Sequence, residues 1–155
     1  MTRAELLELL ASDLRNERKH LNFYLYHASA VIGLHGQREY REWLLEAAAS
    51  ELAHVTAFQD RLWGLGAAAV DTSASDFECF TRVEDVLDYA REMEEEVVAN
   101  YTQRLAQLEG ANFLESRYMA VFYEDQLQDS YEDCERIRRI LADSRATKTP
   151  RLRPL

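Results

Sequence analysis

Both prolines of this chain, Pro150 and Pro154, stand in its last six residues. Proline lacks a backbone donor and clashes with the preceding turn, so it is the residue that most firmly stops a helix. Everything before Pro150 is therefore free to run as long helices, and four segments repeat apolar residues at helical spacing. The first, about Thr2 to Ile32, carries Leu6, Leu9, Leu10, Leu14, Leu21, Tyr24 and Ala28 and closes at Gly33-Leu34-His35-Gly36. The second, about Arg38 to Leu65, carries Leu44, Leu45, Ala48, Leu52, Val55, Phe58 and Leu62 and ends at Gly64 and Gly66. Residues Ala67 to Thr81 are small and polar, with no helical pattern of their own. The third segment, about Val83 to Glu109, carries Val86, Leu87, Ala90, Met93, Val97, Tyr101, Leu105 and Leu108. Gly110-Ala111-Asn112 divides it from the fourth, about Phe113 to Ala142, with Met119, Phe122, Leu127, Cys134, Ile137 and Leu141.

Connection lengths set the topology. The first and third links are short and imply antiparallel hairpins, whereas about 15 residues between the second and third helices are enough to run the length of a bundle. At 1.5 Å per residue, helices of this size span roughly 40–45 Å. The sequence predicts an all-α four-helix bundle over residues 1–143 with one long crossover between the second and third helices. Residues 144–155 read as a basic, proline-containing tail, flexible rather than a docking peptide.

The net charge of −10 argues against a general nucleic-acid binder, which needs a basic face. No apolar run approaches the ~20 residues of a membrane span. The N-terminus passes straight into an amphipathic pattern with no signal peptide. Cys79 and Cys134 form neither a close pair nor a metal-spaced cluster, which fits a reducing cytoplasm.

The pattern that carries chemistry is Glu51-Leu52-Ala53-His54. Residues three apart on a helix share a face, so this carboxylate and imidazole point the same way, and together they suit iron, manganese or zinc. The tetrapeptide alone is weak; its force comes from acids at the same level on other helices. Glu17 lies about as far before the first turn as Glu51 and His54 lie after it, and Glu94 holds the same place before the second turn. On the fourth helix, Gln126 and Asp129 repeat the three-residue spacing at the right level. Their apolar surroundings, Met119, Phe122, Leu127, Ile137 and Ile140, match those of Glu51 offset for offset (Leu44, Ala47, Leu52, Leu62 and Leu65). Glu124 stands roughly 6 Å off that level. Glu17 is followed seven residues later by Tyr24, and Glu94 by Tyr101, a pseudo-repeat of two halves; for Tyr101 a core role explains the spacing as well. Glu94-Glu95-Glu96 also fits a solvated face, as do Gln126, Gln128 and Asp129.

Glu17, Tyr24, Glu51-x-x-His54, Glu94 and Gln126-x-x-Asp129 together resemble the ferritin and bacterioferritin superfamily of di-iron carboxylate proteins over residues 5–142. Three departures stand out. The chain has no histidine after His54, so the second Glu-x-x-His of bacterioferritin-like members is missing from the fourth helix, where the pattern is closer to non-haem ferritins. Leu52 replaces the haem-ligating methionine of bacterioferritins, and haem is not expected. The tail shows no fifth helix of the kind that helps build ferritin cages, which favours a homodimer over a larger assembly.

The resemblance implies two iron ions, replaceable by manganese or zinc, held by Glu17, Glu51, His54, Glu94, Gln126 and Asp129, with Glu51 bridging and Tyr24 beside the pair as a catalytic residue. Fewer nitrogens at the second ion predict unequal affinities. The implied activity is ferroxidase-type: Fe(II) to Fe(III), with O2 or H2O2 as oxidant. The alternative is a ferritin-like scaffold with a degenerate or single metal site that works through protein contacts. His20, three residues after Glu17, makes another Glu-x-x-His; it reads as a surface or supporting residue, with substitution for the missing fourth-helix histidine as the other reading. His27 and His35 read as surface or loop residues.

Overall fold

A computed structural model of the chain describes residues 1–30, 38–67 and 73–148, with side chains through residue 143. It contains four helices: α1 (Arg3–Ala30), α2 (Arg38–Gly64), α3 (Val83–Glu109) and α4 (Ser116–Lys148). The Gly33–Gly36 turn with His35, and residues 149–155 of the tail, lie outside the described residues.

Local chemistry accounts for the helix ends. Thr2 and Glu5 form a capping box on α1: the Glu5 N–H donates to Thr2 Oγ1 at 3.2 Å, and the Thr2 N–H donates back to Glu5 Oε2 at 2.6 Å. α2 closes in a Schellman turn, with the Ala67 N–H on Leu62 O and the Gly66 N–H on Trp63 O. Gly66 adopts φ of +77° there, a left-handed conformation that a Cβ would strain. α3 has no side-chain cap but carries Glu84 and Asp85 in its first turn, where the helix dipole favours negative charge. α4 begins three residues later than the sequence pattern suggests, because the Ser116 hydroxyl and N–H both turn back onto Phe113 O. It also runs on to Lys148, past residue 143, since nothing before Pro150 breaks it.

Side-chain pairs between helices fix their directions. Moving from Glu17 to Tyr24 on α1 moves the hydrogen-bonded partner from Tyr101 back to Glu94 on α3. Moving from Glu46 to His54 on α2 moves the partner from Arg136 back to Asp129 on α4. Glu17 opposite His54 and His20 opposite Glu51 give the same reversal between α1 and α2. α1 is thus antiparallel to α2 and to α3, so α2 and α3 run in the same direction.

The apolar interior is divided in two. One core gathers Phe23, Tyr24, Trp43, Leu44, Val86, Leu87, Met93 and Ile137; the other gathers Leu6, Leu10, Leu14, Phe58, Leu62, Val97, Met119 and Phe122. Between them lies a layer of buried polar side chains: Glu17, His20, Glu51, His54, Glu94, Gln126 and Ser130. Two residues assigned to the apolar stripe of α2 fall elsewhere. Leu45 and Leu52 are 38% and 55% exposed, because each is rotated about 100° from its inward neighbour, Leu44 or Glu51.

Candidate metal centre

The polar layer is built from spacing. Glu17 and His20 lie three residues apart on α1, Glu51 and His54 three apart on α2, so each helix turns one carboxylate and one imidazole inward. Because the helices are antiparallel, the pairs interlock. His54 Nδ1 lies 3.3 Å from Glu17 Oε2 and 3.4 Å from Glu51 Oε2. His20 Nδ1 lies 3.3 Å from Glu94 Oε1 and 3.7 Å from Glu51 Oε1. Two nests result. Ligand-type atoms of Glu17, Glu51 and His54 converge within 4.8 Å of one another, and so do those of His20, Glu51 and Glu94. Glu51 belongs to both, one oxygen to each.

Such a layer is costly. Each ionised group withdrawn from water carries a penalty of several kcal/mol unless well paired. Burial lifts the Glu17 carboxyl above its usual range, and the neighbouring Glu51 adds to it. Burial and Glu94 push Glu51 the same way, but the adjacent imidazoles of His20 and His54 outweigh them and hold Glu51 below the usual range. Burial opposes the charging of both histidines. Yet Glu94 and Glu51 drive His20 well above the ordinary imidazole value, and Glu17 and Glu51 raise His54 to about 11. The two imidazoles thus face three buried acids, and the acids draw positive charge onto both rings. Positive charge is what the layer demands.

Two tyrosines lock it crosswise. Tyr24 on α1 donates to Glu94 Oε1 on α3 at 2.9 Å, while Tyr101 on α3 donates to Glu17 Oε1 on α1. Burial and the adjacent acids raise both phenols well above the ordinary value, so each stays a donor. One turn before Glu17, Asp13 receives a two-pronged contact from Arg104, Nε and Nη2 each at 3.2 Å, and a hydrogen bond from Tyr123 at 2.7 Å. All three are buried.

The side chains singled out in the sequence divide as follows. Glu17, Tyr24, Glu51, His54 and Glu94 come together. Gln126 is buried in the same layer, and its Oε1 has no hydrogen-bond partner. Asp129 does not enter either nest: its side chain is 56% exposed and sits 3.6 Å from the outer nitrogen of His54, Nε2. Three residues leave an offset of about 60° from Gln126 around the helix axis, which is enough here to bring Asp129 to the solvent lip of the layer. Glu124 is exposed.

Three residues enter that the sequence reading placed elsewhere or passed over. His20 is buried within the second nest rather than at the surface. His27 is also buried: Nδ1–H donates to Phe23 O at 2.9 Å and Nε2 accepts the Phe80 N–H at 3.0 Å, pinning the crossover to α1. Both histidines follow the inward face of α1, in steps of three or four from Asp13 through Glu17 and Tyr24. Asp133, one turn beyond Asp129, is half-buried, and burial together with Glu94 and Glu51 pushes it up to about 7. Its spacing from Gln126 and Asp129 was the available signal.

The donor set suits a borderline divalent metal, with carboxylate oxygens and imidazole nitrogens in one buried place. Its atoms are also poorly served by protein alone. His20 Nε2, Glu51 Oε2 and Gln126 Oε1 are all buried without a hydrogen-bond partner.

Residues 7–146 match the ferritin-like domain family. No protein of curated function matches the chain. Among solved structures, a ferritin-like diiron-carboxylate protein of Bacillus anthracis str. Ames superposes with a TM-score of 0.79 at 25% identity, covering 91% of this chain and 99% of its own. Bacterioferritin BfrA of Mycobacterium tuberculosis superposes with a TM-score of 0.85 over 96% of this chain and 91% of its own; at 16% identity that is a likeness of fold.

Proposed function

This chain belongs to the ferritin-like domain family, and from that footing we propose that its polar layer binds a pair of ferrous ions and oxidises them with O2 or H2O2. The observation that carries the reading is the sharing of Glu51. One carboxylate faces two nests from opposite oxygens, which suits a bridge between two ions a few ångströms apart. Glu17 and His54 serve the first ion; Glu94 is the terminal acid of the second. The diiron-carboxylate protein of B. anthracis gives the choice of iron its support.

Two ferrous ions surrender two electrons. With two protons they reduce O2 to H2O2, or H2O2 to two molecules of water. The protein's own contribution is position and charge. Glu17, Glu51 and Glu94 offset the charge gained as iron passes from +2 to +3. Tyr24 and Tyr101 fix the rotamers of Glu94 and Glu17 by hydrogen bonds that both phenols, held protonated, can keep throughout. Tyr24, hydrogen-bonded to Glu94, is the candidate electron or hydrogen-bond donor. Asp129, at the outer nitrogen of His54, acts as a positioning residue by holding the imidazole's orientation. Gln126 supplies a neutral oxygen to the same layer.

Among the described residues no helix is long and apolar enough to cross a membrane, and a cytoplasmic, homodimeric protein fits the reading. Leu25, Tyr26, Leu45 and Leu52, all exposed on α1 and α2, supply apolar surface for a second copy. The test is direct: add Fe(II) anaerobically, admit air, and follow the near-ultraviolet ferric absorption. We expect a rise that saturates at two iron per chain and is lost in Glu51→Ala. Absence of iron uptake above background would refute the proposal.

A further inference from the structure

We propose that His20 is the nitrogen ligand of the second ion, so that both histidine donors come from the α1–α2 hairpin and none from α4. This rests on the two-ion reading above and assigns the ligand that reading leaves open.

α4 brings oxygens near the second nest, in Gln126 and the half-buried Asp133, but no nitrogen ligand. It contains no histidine. Asp129 is turned outward against His54, Glu124 is exposed, and the two converging groups include no residue of α4. His20 supplies the imidazole that α4 lacks. Its side chain is 1% exposed, and Nδ1 faces two carboxylate oxygens from different helices at 3.3 and 3.7 Å.

A histidine that serves packing alone finds its hydrogen bonds away from the acids. His27 in this same helix does so, with one nitrogen on Phe23 O and the other on the Phe80 N–H. His20 does not. Its Nε2 is buried without a partner, and all of its polar engagement is toward Glu51 and Glu94. Nδ1 therefore points at the place where oxygens of Glu51 and Glu94 converge, the position a metal ion would take.

The arrangement has a symmetry that the sequence spacing encodes. Glu17-x-x-His20 and Glu51-x-x-His54 lie on antiparallel helices, so the first carboxylate meets the second histidine, while the first histidine meets the second carboxylate and Glu94. Each ion then has one imidazole, one terminal acid (Glu17 or Glu94) and half of Glu51. The two sites become near-equivalent, in place of the unequal pair that fewer nitrogens at the second ion would give.

Mn(II) alone, added anaerobically, is a suitable probe, because a carboxylate-bridged pair gives an exchange-coupled electron paramagnetic resonance signal that a single ion does not. The wild-type chain should bind two Mn(II) of similar affinity and show the coupled signal. His20→Asn keeps an amide N–H near the position of Nδ1 and a small volume change. It should bind one Mn(II), lose the coupled signal, and weaken the second site by more than about 100-fold, beyond the roughly 10–100-fold typical of a residue that only supports a ligand. Retention of the coupled signal in His20→Asn overturns the proposal. The wild-type protein with Co(II) gives a second readout that needs no variant: two paramagnetically shifted imidazole N–H resonances are expected, and one alone overturns the assignment. If the wild-type chain takes up no metal pair, the two-ion reading itself fails, which distinguishes that failure from an error about His20.

Discussion

Replacing Arg104 with methionine should be among the most damaging single changes outside the polar layer. Arg104 on α3 grips Asp13 on α1 through two nitrogens, and Tyr123 on α4 adds a third hydrogen bond to the same carboxylate. Both charged side chains are about nine-tenths buried or more. Methionine preserves much of the stem volume but removes the counter-charge, leaving Asp13 with the phenol alone. Breaking a buried pair from one side costs about 3–5 kcal/mol. A chain of this size has on the order of 8–23 kcal/mol of stability in all, so the midpoint should fall by roughly 6–20 °C.

The loss should depend on pH with a definite sign. Burial raises the Asp13 carboxyl above its ordinary value, and Arg104 is the main force pulling it back. Without Arg104 the folded state favours protonated Asp13 more strongly. Stability of the variant then rises as pH falls through that raised folded value, and the gap from wild type narrows toward acid. Urea unfolding at pH 7 and pH 5 measures both effects. Asp13→Asn in the Arg104→Met background should recover part of the loss, because a neutral amide can keep the Tyr123 contact without a buried charge. A loss under about 1 kcal/mol for Arg104→Met, or no recovery in the double variant, would refute the reasoning and with it the register of α1 on α3.

At a metal concentration one hundred times the dissociation constant, each site should add about 2.7 kcal/mol, so two sites raise the midpoint by roughly 10–20 °C; Mn(II) with and without a chelator checks this by calorimetry, and an unchanged midpoint counts against both sites. Burial lowers His27, which serves as acceptor and donor at once only when neutral; its contribution is therefore present above the unfolded histidine value near 6.5 and lost as pH falls below it. Crossover protection measured by hydrogen exchange at Phe80 should drop in that window, and His27→Gln should flatten the change. Sedimentation should return a dimer; a particle of several hundred kilodaltons would overturn the proposed homodimer.

The fold was legible because its determinants are local and additive. Freedom from proline, four stretches of helical spacing and two connection lengths leave few alternatives to a bundle with one crossover, and α3 appears with the expected bounds, Val83–Glu109. Errors arose where apolar type stood in for facing direction. Leu52 continues the sequence stripe but points outward, since the inward place at that level belongs to Glu51, a residue that hydropathy excludes from a core.

The same substitution of type for position hid half of the site. Counting residues from the turns finds the level of Glu17, Glu51, His54, Glu94 and Gln126, because rise per residue is fixed and a carboxylate at the right height needs no further hint. His20 is only about 4.5 Å along the axis from Glu17, but its neighbours Arg18, Lys19 and Asn22 make it look like surface. Followed by position rather than hydropathy, the inward face of α1 reads Leu6, Leu10, Asp13, Glu17, His20, Tyr24, His27, in unbroken steps of three and four. Four of those seven are acids or histidines; partners on the other three helices make the burial of Asp13, Glu17 and His20 tolerable, and Phe23 O with the Phe80 N–H of the crossover does so for His27. Tyr101 was ambiguous for the opposite reason. Its ring belongs to an apolar core and its hydroxyl to Glu17, so the core reading and the site reading of one residue were both physically correct. Which helix supplies each donor is decided by rotation and register between helices, and spacing within one helix does not contain that information.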